Sequence, residues 1–165
     1  MSVIWITGLS GAGKSTLARE VARLLIASGI DAMLLDGDAV RGEFADRAYD
    51  RSGRLAAAQR LSRLAADFSA QGRTVVVATI SLFHEIHAAN RIVHRDYMEI
   101  VLQCADTTLR KRSAVYADDA ERVVGRGILA EFPLAPHLTL ENDGDASPEC
   151  LARRIVERWT LHVGL

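Results

Sequence analysis

The stretch Gly8-Leu9-Ser10-Gly11-Ala12-Gly13-Lys14-Ser15 brings together the residue types that hold a polyphosphate. Its glycines let the backbone turn tightly and aim several N–H groups at one point, and the helical pattern that follows adds the positive end of a dipole. In such a P-loop Lys14 reaches the β and γ phosphates of a nucleoside triphosphate and the Ser15 hydroxyl ligates magnesium, which is why the spacing Gly-x4-Gly-Lys-Ser makes a nucleotide cradle. Gly8, Ser10, Gly11, Ala12, Gly13, Lys14, Ser15 and Thr16 are therefore expected to hold ATP, with Lys14 also acting on the transferring phosphate.

Phosphoryl transfer needs a carboxylate as well, to help hold magnesium or to orient and deprotonate the attacking hydroxyl. Asp36 and Asp38 flank Gly37 at the end of a second apolar run. Asp-Gly-Asp is common as plain turn chemistry, but beside a phosphate loop it reads as a site. Asp36 is expected to serve catalysis and, with Ser15, the metal. The third apolar run ends in Ala78-Thr79-Ile80-Ser81, without the acidic residue that many P-loop ATPases carry there, and no Asn/Thr-Lys-x-Asp guanine motif is present. Both absences argue against a motor ATPase or a GTPase switch and for a small kinase.

Arginines at 41, 47, 51, 54, 60 and 63 crowd the segment after Asp38. A solvated helix face accounts for Arg60 and Arg63, whereas Arg41 and Arg51 lie nearer the expected crevice and suit a second, anionic substrate. Arg110, Lys111 and Arg112 form a second basic cluster, read either as a lid over ATP or as a complement to the end of their own helix. His84 and His87 stand at helical spacing, but nothing completes a metal site around them, so the histidines are expected to be solvated or capping. Cys104 and Cys150 make no CxxC pair and are expected as buried, inert thiols, and Trp5 and Trp159 as core.

The elements that must position these groups follow from periodicity. Val3 to Ile6, Ile30 to Leu35, Thr74 to Ile80, Met98 to Cys104 and His137 to Leu140 read as strands. Helices are expected from Thr16, over about Asp50–Ala70 with Gly72 as terminator, over His84–His94, at Asp106–Arg112 with Asp106 as cap, and from Ser147-Pro148-Glu149 to about His162. Residues 41–50 and 113–136 give no clear pattern. The alternation predicts an α/β fold, a doubly wound parallel five-stranded sheet flanked by helices, in a single domain spanning 1–165. Ligands of such folds sit outside the carboxyl ends of the strands, where the P-loop, Asp36 to Asp38 and Ser81 to Phe83 all fall.

With 165 residues, 49% of them hydrophobic and 25% charged, the chain can bury a core without disulfides. A net charge of -1 gives no general attraction to nucleic acid or anionic membrane, so phosphate binding has to be local and small anionic ligands fit best. The N-terminus enters a strand directly and no apolar run of membrane-spanning length occurs, which leads to the expectation of a soluble, cytoplasmic protein.

Gly8 to Ala18, Leu35-Asp36-Gly37-Asp38-Ala39-Val40-Arg41, Asp50-Arg51 and Ile80-Ser81-Leu82-Phe83 resemble the adenylylsulfate kinases in wording and order, over most of the chain to about Cys104. The resemblance implies a P-loop kinase that transfers the ATP γ-phosphate to the 3′-hydroxyl of 5′-adenylyl sulfate with magnesium, and a homodimer. It implies that Asp36 is the catalytic or metal-orienting carboxylate, that Asp38, Arg41 and Arg51 hold the acceptor nucleotide, and that Ile80, Ser81 and Phe83 line its pocket. Arg110 and Arg112 fall in the ATP lid, over about 106–133.

The chain also departs from the family. Arg54, counted with the acceptor group, stands where the family has asparagine; Leu82 and His84-Glu85-Ile86-His87 replace a proline and an arginine-rich segment. The lid motif Arg-Asp-Pro-Lys-Gly-Leu-Tyr is reduced to Arg112-Ser113-Ala114-Val115-Tyr116, and Gly125, Glu131 and Pro133 then recover the spacing. Such a pattern fits an adenylylsulfate kinase with a compact lid, or a relative acting on another 5′-modified nucleotide such as cytidine diphosphoramidate. A nucleotide-sensing module that binds ATP without transferring phosphate is the reading from a different class.

Overall fold

A computed structural model describes residues 2–43, 50–114 and 123–164, with the side chains of 41–43 left aside. Five strands, β1 (Ser2–Thr7), β2 (Ala32–Asp36), β3 (Thr74–Thr79), β4 (Asp96–Gln103) and β5 (Leu138–Glu141), form one parallel sheet in the order β2-β3-β1-β4-β5. The helices are α1 (Lys14–Ala27), α2 (Gly37–Glu43), α3 (Arg51–Ala70), α4 (His84–Val93), α5 (Asp106–Arg112) and α6 (Pro148–Val163). This is the doubly wound arrangement that the alternation predicts.

Both faces of the sheet are covered, so its central strands are apolar on both sides. In β1 the side chains alternate: Ile4 and Ile6 pack with Leu17, Val21 and Leu25 of α1 and Leu151, Ile155 and Trp159 of α6, while Val3 and Trp5 pack with Leu61 and Ala65 of α3 and Ile86 of α4. Both tryptophans are core residues, as expected, and Trp159 Nε1 donates to Ser2 Oγ at 3.1 Å.

Parallel register brings the strand ends level. Thr7 pairs with Thr79 and Val101, and Asp36 with Ala78, so the P-loop, the Asp36 segment and the Ser81 segment leave the sheet along one edge. Strand ends shift by one or two residues from the sequence expectation, and two helix starts differ in kind. The chain enters α2 straight from Asp36, where an Asp-Gly-Asp turn and then a polar stretch are expected. At α5 the N-cap is Ala105, with Asp106 inside the first turn. The Ala105 N–H is satisfied from outside the helix, by Asp143 Oδ1 at 2.9 Å. Within 113–136 the described part holds an isolated bridge between Val124 and Ile128.

Candidate active site

The phosphate loop is shaped by close backbone approaches. Gly8 passes so near β4 that a Cβ there would lie 2.3 Å from the Leu102 carbonyl oxygen, and Gly13 caps α1 in a left-handed conformation, φ 94°, that disfavours other residues. Asn142, just past β5, donates from Nδ2 to the Ala12 carbonyl at 2.8 Å, and Ser10 Oγ lies 3.1 Å from Ser113 Oγ. The loop is thus held from outside by Asn142 and Ser113.

Lys14 Nζ donates to the Leu9 carbonyl at 2.7 Å. Burial lowers its pKa from 10.5 to about 8, against the opposing pull of Asp38, Asp36 and Cys104. Asp36 is oriented by its own turn, its Oδ1 accepting from the Asp38 N–H at 3.0 Å. Ser10, Gly11, Gly13, Lys14, Ser15, Thr16, Asp36 and Asp38 line one cleft of about 140 Å³, closed at its floor by Ala78, Thr79 and Ile80.

A second cavity shares Thr79 and Ile80 with the first. Gly37, Val40, Arg54, Ala57, Arg60, Thr79, Ile80, Ser81, Phe83 and Val124 line this narrow space of about 20 Å³. Thr79 and Ile80 therefore face both spaces. The predicted acceptor residues Arg54, Ile80, Ser81 and Phe83 meet here. Arg60 meets them too, correcting its assignment to a solvated face. α3 turns it inward beside Ala57 and Leu61, which a charged residue on an amphipathic pattern does not reveal.

Other expected residues lie elsewhere. Asp38 is exposed at the phosphate cleft. Arg51 stands outside the slot and contacts it through Phe83, 5.2 Å from the guanidinium carbon to the ring centre. Arg41 lies in α2 with its side chain outside those described, and of the lid residues 115–122 fall outside the described chain. Arg112 reaches the loop beyond β5, donating to the Asn142 carbonyl at 2.7 Å, whereas Arg110 pairs with Asp106 at 2.7 Å on the surface.

Several expectations about the remaining polar residues are overturned. His87 is buried, neither solvated nor capping, with its Nδ1 2.9 Å from Glu99 Oε1, whereas His94, also buried, does cap as the C-cap of α4, with its Nε2 3.1 Å from Ser62 Oγ. The Glu99 carboxyl is pushed up by burial, but His87, Tyr97 and Arg91 outweigh this and hold it below the usual range. Cys150 is exposed and Cys104 half-buried, so neither is the buried core thiol expected. Cys104 Sγ instead points to the Asn142 carbonyl at 3.0 Å, beside the phosphate loop. Asn142 carries no motif of its own, and its only signal in the sequence, like that of Cys104, is its place just after a strand on the edge where ligands of such folds sit.

A model of the adenylylsulphate kinase family matches residues 1–126. The chain belongs to that family. Its members are phosphotransferases with an alcohol acceptor, and this protein is a kinase of that kind. A cytidine diphosphoramidate kinase of Campylobacter jejuni is 38% identical over 165 residues, covering 96% of each chain. An adenylyl-sulfate kinase of Bacillus velezensis is 33% identical over 163 residues, covering 93% of this chain and 83% of its own. The Mycobacterium tuberculosis APS kinase in complex with AMPPNP and APS superposes with a TM-score of 0.83 at 32% identity, covering 95% of this chain and 96% of the other. Family membership places the chain among P-loop kinases, and among the described residues no helix is long and apolar enough to cross a membrane.

Proposed function

We propose that the protein transfers the γ-phosphate of ATP to the ribose 3′-hydroxyl of a small nucleotide whose 5′-phosphate carries a further group. The observation that carries this reading is that the cleft with Lys14, Ser15 and Asp36 and the slot with Arg54, Ser81 and Phe83 share Thr79 and Ile80 in their linings. A donor phosphate in the first and an acceptor in the second would meet near Asp36, which lines the first while its neighbour Gly37 lines the second. In this reading Lys14 and the loop amides neutralise charge on the transferring phosphate, and Asp36 orients or deprotonates the acceptor hydroxyl. Positioning and electrostatics supply most of the catalysis of such transfers.

The donor set of the cleft suits magnesium. Ser15 offers a hydroxyl and Asp36 a carboxylate, hard oxygens of the kind that hold this ion together with substrate phosphates and water. Among the described residues no cluster of His, Cys, Asp and Glu could hold a metal by itself, so the ion would be shared with the nucleotide. When bound, it neutralises charge on the β and γ phosphates.

Two acceptors compete. The family's motifs speak for adenylyl sulfate, and the relative that spans 96% of both chains speaks for cytidine diphosphoramidate. The test is to incubate the protein with labelled ATP, magnesium and a panel of adenylyl sulfate, cytidine diphosphoramidate and ordinary nucleoside mono- and diphosphates, and to compare kcat/KM. Transfer to one modified nucleotide far above the rest is the expected result. ATP binding with no phosphorylated product from any of them would defeat the reading in favour of an ATP-sensing module.

A further inference from the structure

Arg51, at the start of α3, is held by two carboxylates from different parts of the chain. Its Nη2 donates to Glu85 Oε1 at 3.0 Å and Oε2 at 2.8 Å, and to Glu131 Oε2 at 3.0 Å. Glu85 lies in the first turn of α4, and Glu131 lies on the segment before β5, where its N–H donates to the Leu82 carbonyl at 3.0 Å. His84 completes the group, its Nδ1 3.8 Å from Glu131 Oε1 and its Nε2 3.0 Å from the Phe132 carbonyl. The cluster rests on Phe83, a wall of the acceptor slot, through the Arg51 guanidinium.

A site built to seat a sulfate would present donors alone, because every exposed atom of a sulfate ester is an acceptor. Here one guanidinium is shared between two carboxylates, which offer lone pairs and no donor. All of these contacts run through Nη2, so a sulfate that takes the other guanidinium nitrogens of Arg51 faces Glu85 and Glu131 as a like charge. A terminal phosphoramidate at neutral pH bears the same single charge, yet replaces one oxygen by an NH2 group with hydrogens to donate. It can place its anionic oxygen on Arg51 and its N–H on a carboxylate, so the cluster is complementary to it without being dismantled. Glu85 is the better placed of the pair for this exchange, being the more exposed, while Glu131 is tied by its backbone to Leu82.

We propose that Glu85 is a specificity-determining residue that selects an acceptor whose distal phosphoryl group carries an amino group over one ending in sulfate. Arg51, steadied by Glu131, takes the anionic oxygen of that group and Glu85 accepts its N–H. The proposal rests on the reading of the slot as the acceptor site of a ribose kinase.

The test compares cytidine diphosphoramidate, CDP and adenylyl sulfate as acceptors for the wild-type protein and for Glu85→Gln and Glu85→Ala, at saturating MgATP. CDP keeps the base and replaces only the amino group by oxygen. The wild type is expected to favour the phosphoramidate over both others. In each variant the ratio of kcat/KM for phosphoramidate over CDP falls by about tenfold or more, the size of one lost charge-assisted hydrogen bond, mainly through KM. A wild type that prefers adenylyl sulfate, or variants that lose activity equally on all three acceptors, would overturn the proposal while leaving the ribose-kinase reading intact. Absence of transfer to any acceptor overturns both. Thermal melting of the variants separates a folding defect from a change in selectivity.

Discussion

Lys14 Nζ donates a 2.7 Å hydrogen bond to the carbonyl of Leu9, so the ammonium closes the loop that presents it. The contact shields the charge without neutralising it. Burial, the largest influence, lowers the pKa to about 8, and the nearby Asp38 and Asp36 only partly counter it. A polyphosphate in the loop would supply the missing counter-charge and draw Lys14 back to its protonated form.

ATP binding is therefore expected to become proton-coupled in mildly alkaline solution. The pKa of Lys14 in the ligand-free folded protein lies below its unfolded value, so the protonated form is disfavoured there until phosphate arrives. Below pH 8 Lys14 is already charged and affinity is flat in pH. Above pH 8 a proton has to be taken up and affinity falls, by up to about tenfold per pH unit. Calorimetric titration with AMPPNP from pH 7 to 9.5, in buffers of different ionisation enthalpy, reads both the affinity and the proton. A slope unchanged in Lys14→Met would show that another group is responsible.

Asp36 is testable with little disturbance to its turn. Its Oδ1 accepts the Asp38 N–H at 3.0 Å, and an asparagine oxygen can accept the same bond while carrying no charge. Asp36→Asn is expected to lower kcat by roughly 10² to 10⁴, the usual range for loss of acid–base assistance, with the melting temperature nearly unchanged. Turnover near that of the wild type would remove Asp36 from its proposed role.

The acceptor slot separates arginines that look alike in sequence. Arg54 and Arg60 line it, whereas Arg63 is exposed and donates at most a long 3.4 Å bond to the Gln59 carbonyl of its own helix. Arg54→Ala and Arg60→Ala should each raise the acceptor KM, about tenfold for the loss of one charged hydrogen bond, and leave the KM for ATP within twofold. Arg63→Ala should change neither. Steady-state kinetics with each substrate varied in turn makes the comparison, and equal effects at all three positions would show that the slot is not where the acceptor binds.

The contrast between Arg60 and Arg63 also shows where sequence reading stops. The glycine spacing from Gly8 to Gly13, the β-branched run Thr74 to Thr79 and the cap at Ser147 encode local backbone preferences, and each of these elements forms where its pattern lies. Asp36 and Ser81 were readable as site candidates because parallel strands end on one edge. Which way α3 rotates is decided by packing on β3, so no local pattern separates Arg60 from Arg63. Glu99 lies in a run that reads simply as a strand, and its burial depends on partners at His87, Arg91 and Tyr97 brought by α4 and the sheet. The Arg51 cluster likewise joins three segments distant in sequence, and only the tertiary structure discloses it.

That buried polar layer gives the last prediction, in the acid limb of stability. His94 stacks against Tyr97 with ring centres 5.8 Å apart, and its Nε2 lies 3.1 Å from Ser62 Oγ, which donates to Asn90 Oδ1 at 2.6 Å. Ser62 can then accept from His94 Nε2–H, a pairing that suits the neutral ring. Burial lowers the His94 pKa from 6.5 to about 4. Because the unfolded chain binds this proton first, stability is full above pH 6.5 and declines as pH falls toward 4, by up to roughly 3 kcal/mol from this residue alone. His137, also held low chiefly by burial, adds to the decline in the same direction. His94→Gln keeps a donor for Ser62 and cannot titrate, so its melting temperature should lie below that of the wild type at pH 7 yet fall less steeply between pH 6.5 and 4.5. Parallel melting curves for the two proteins across that window would exclude His94 as the acid-sensitive group.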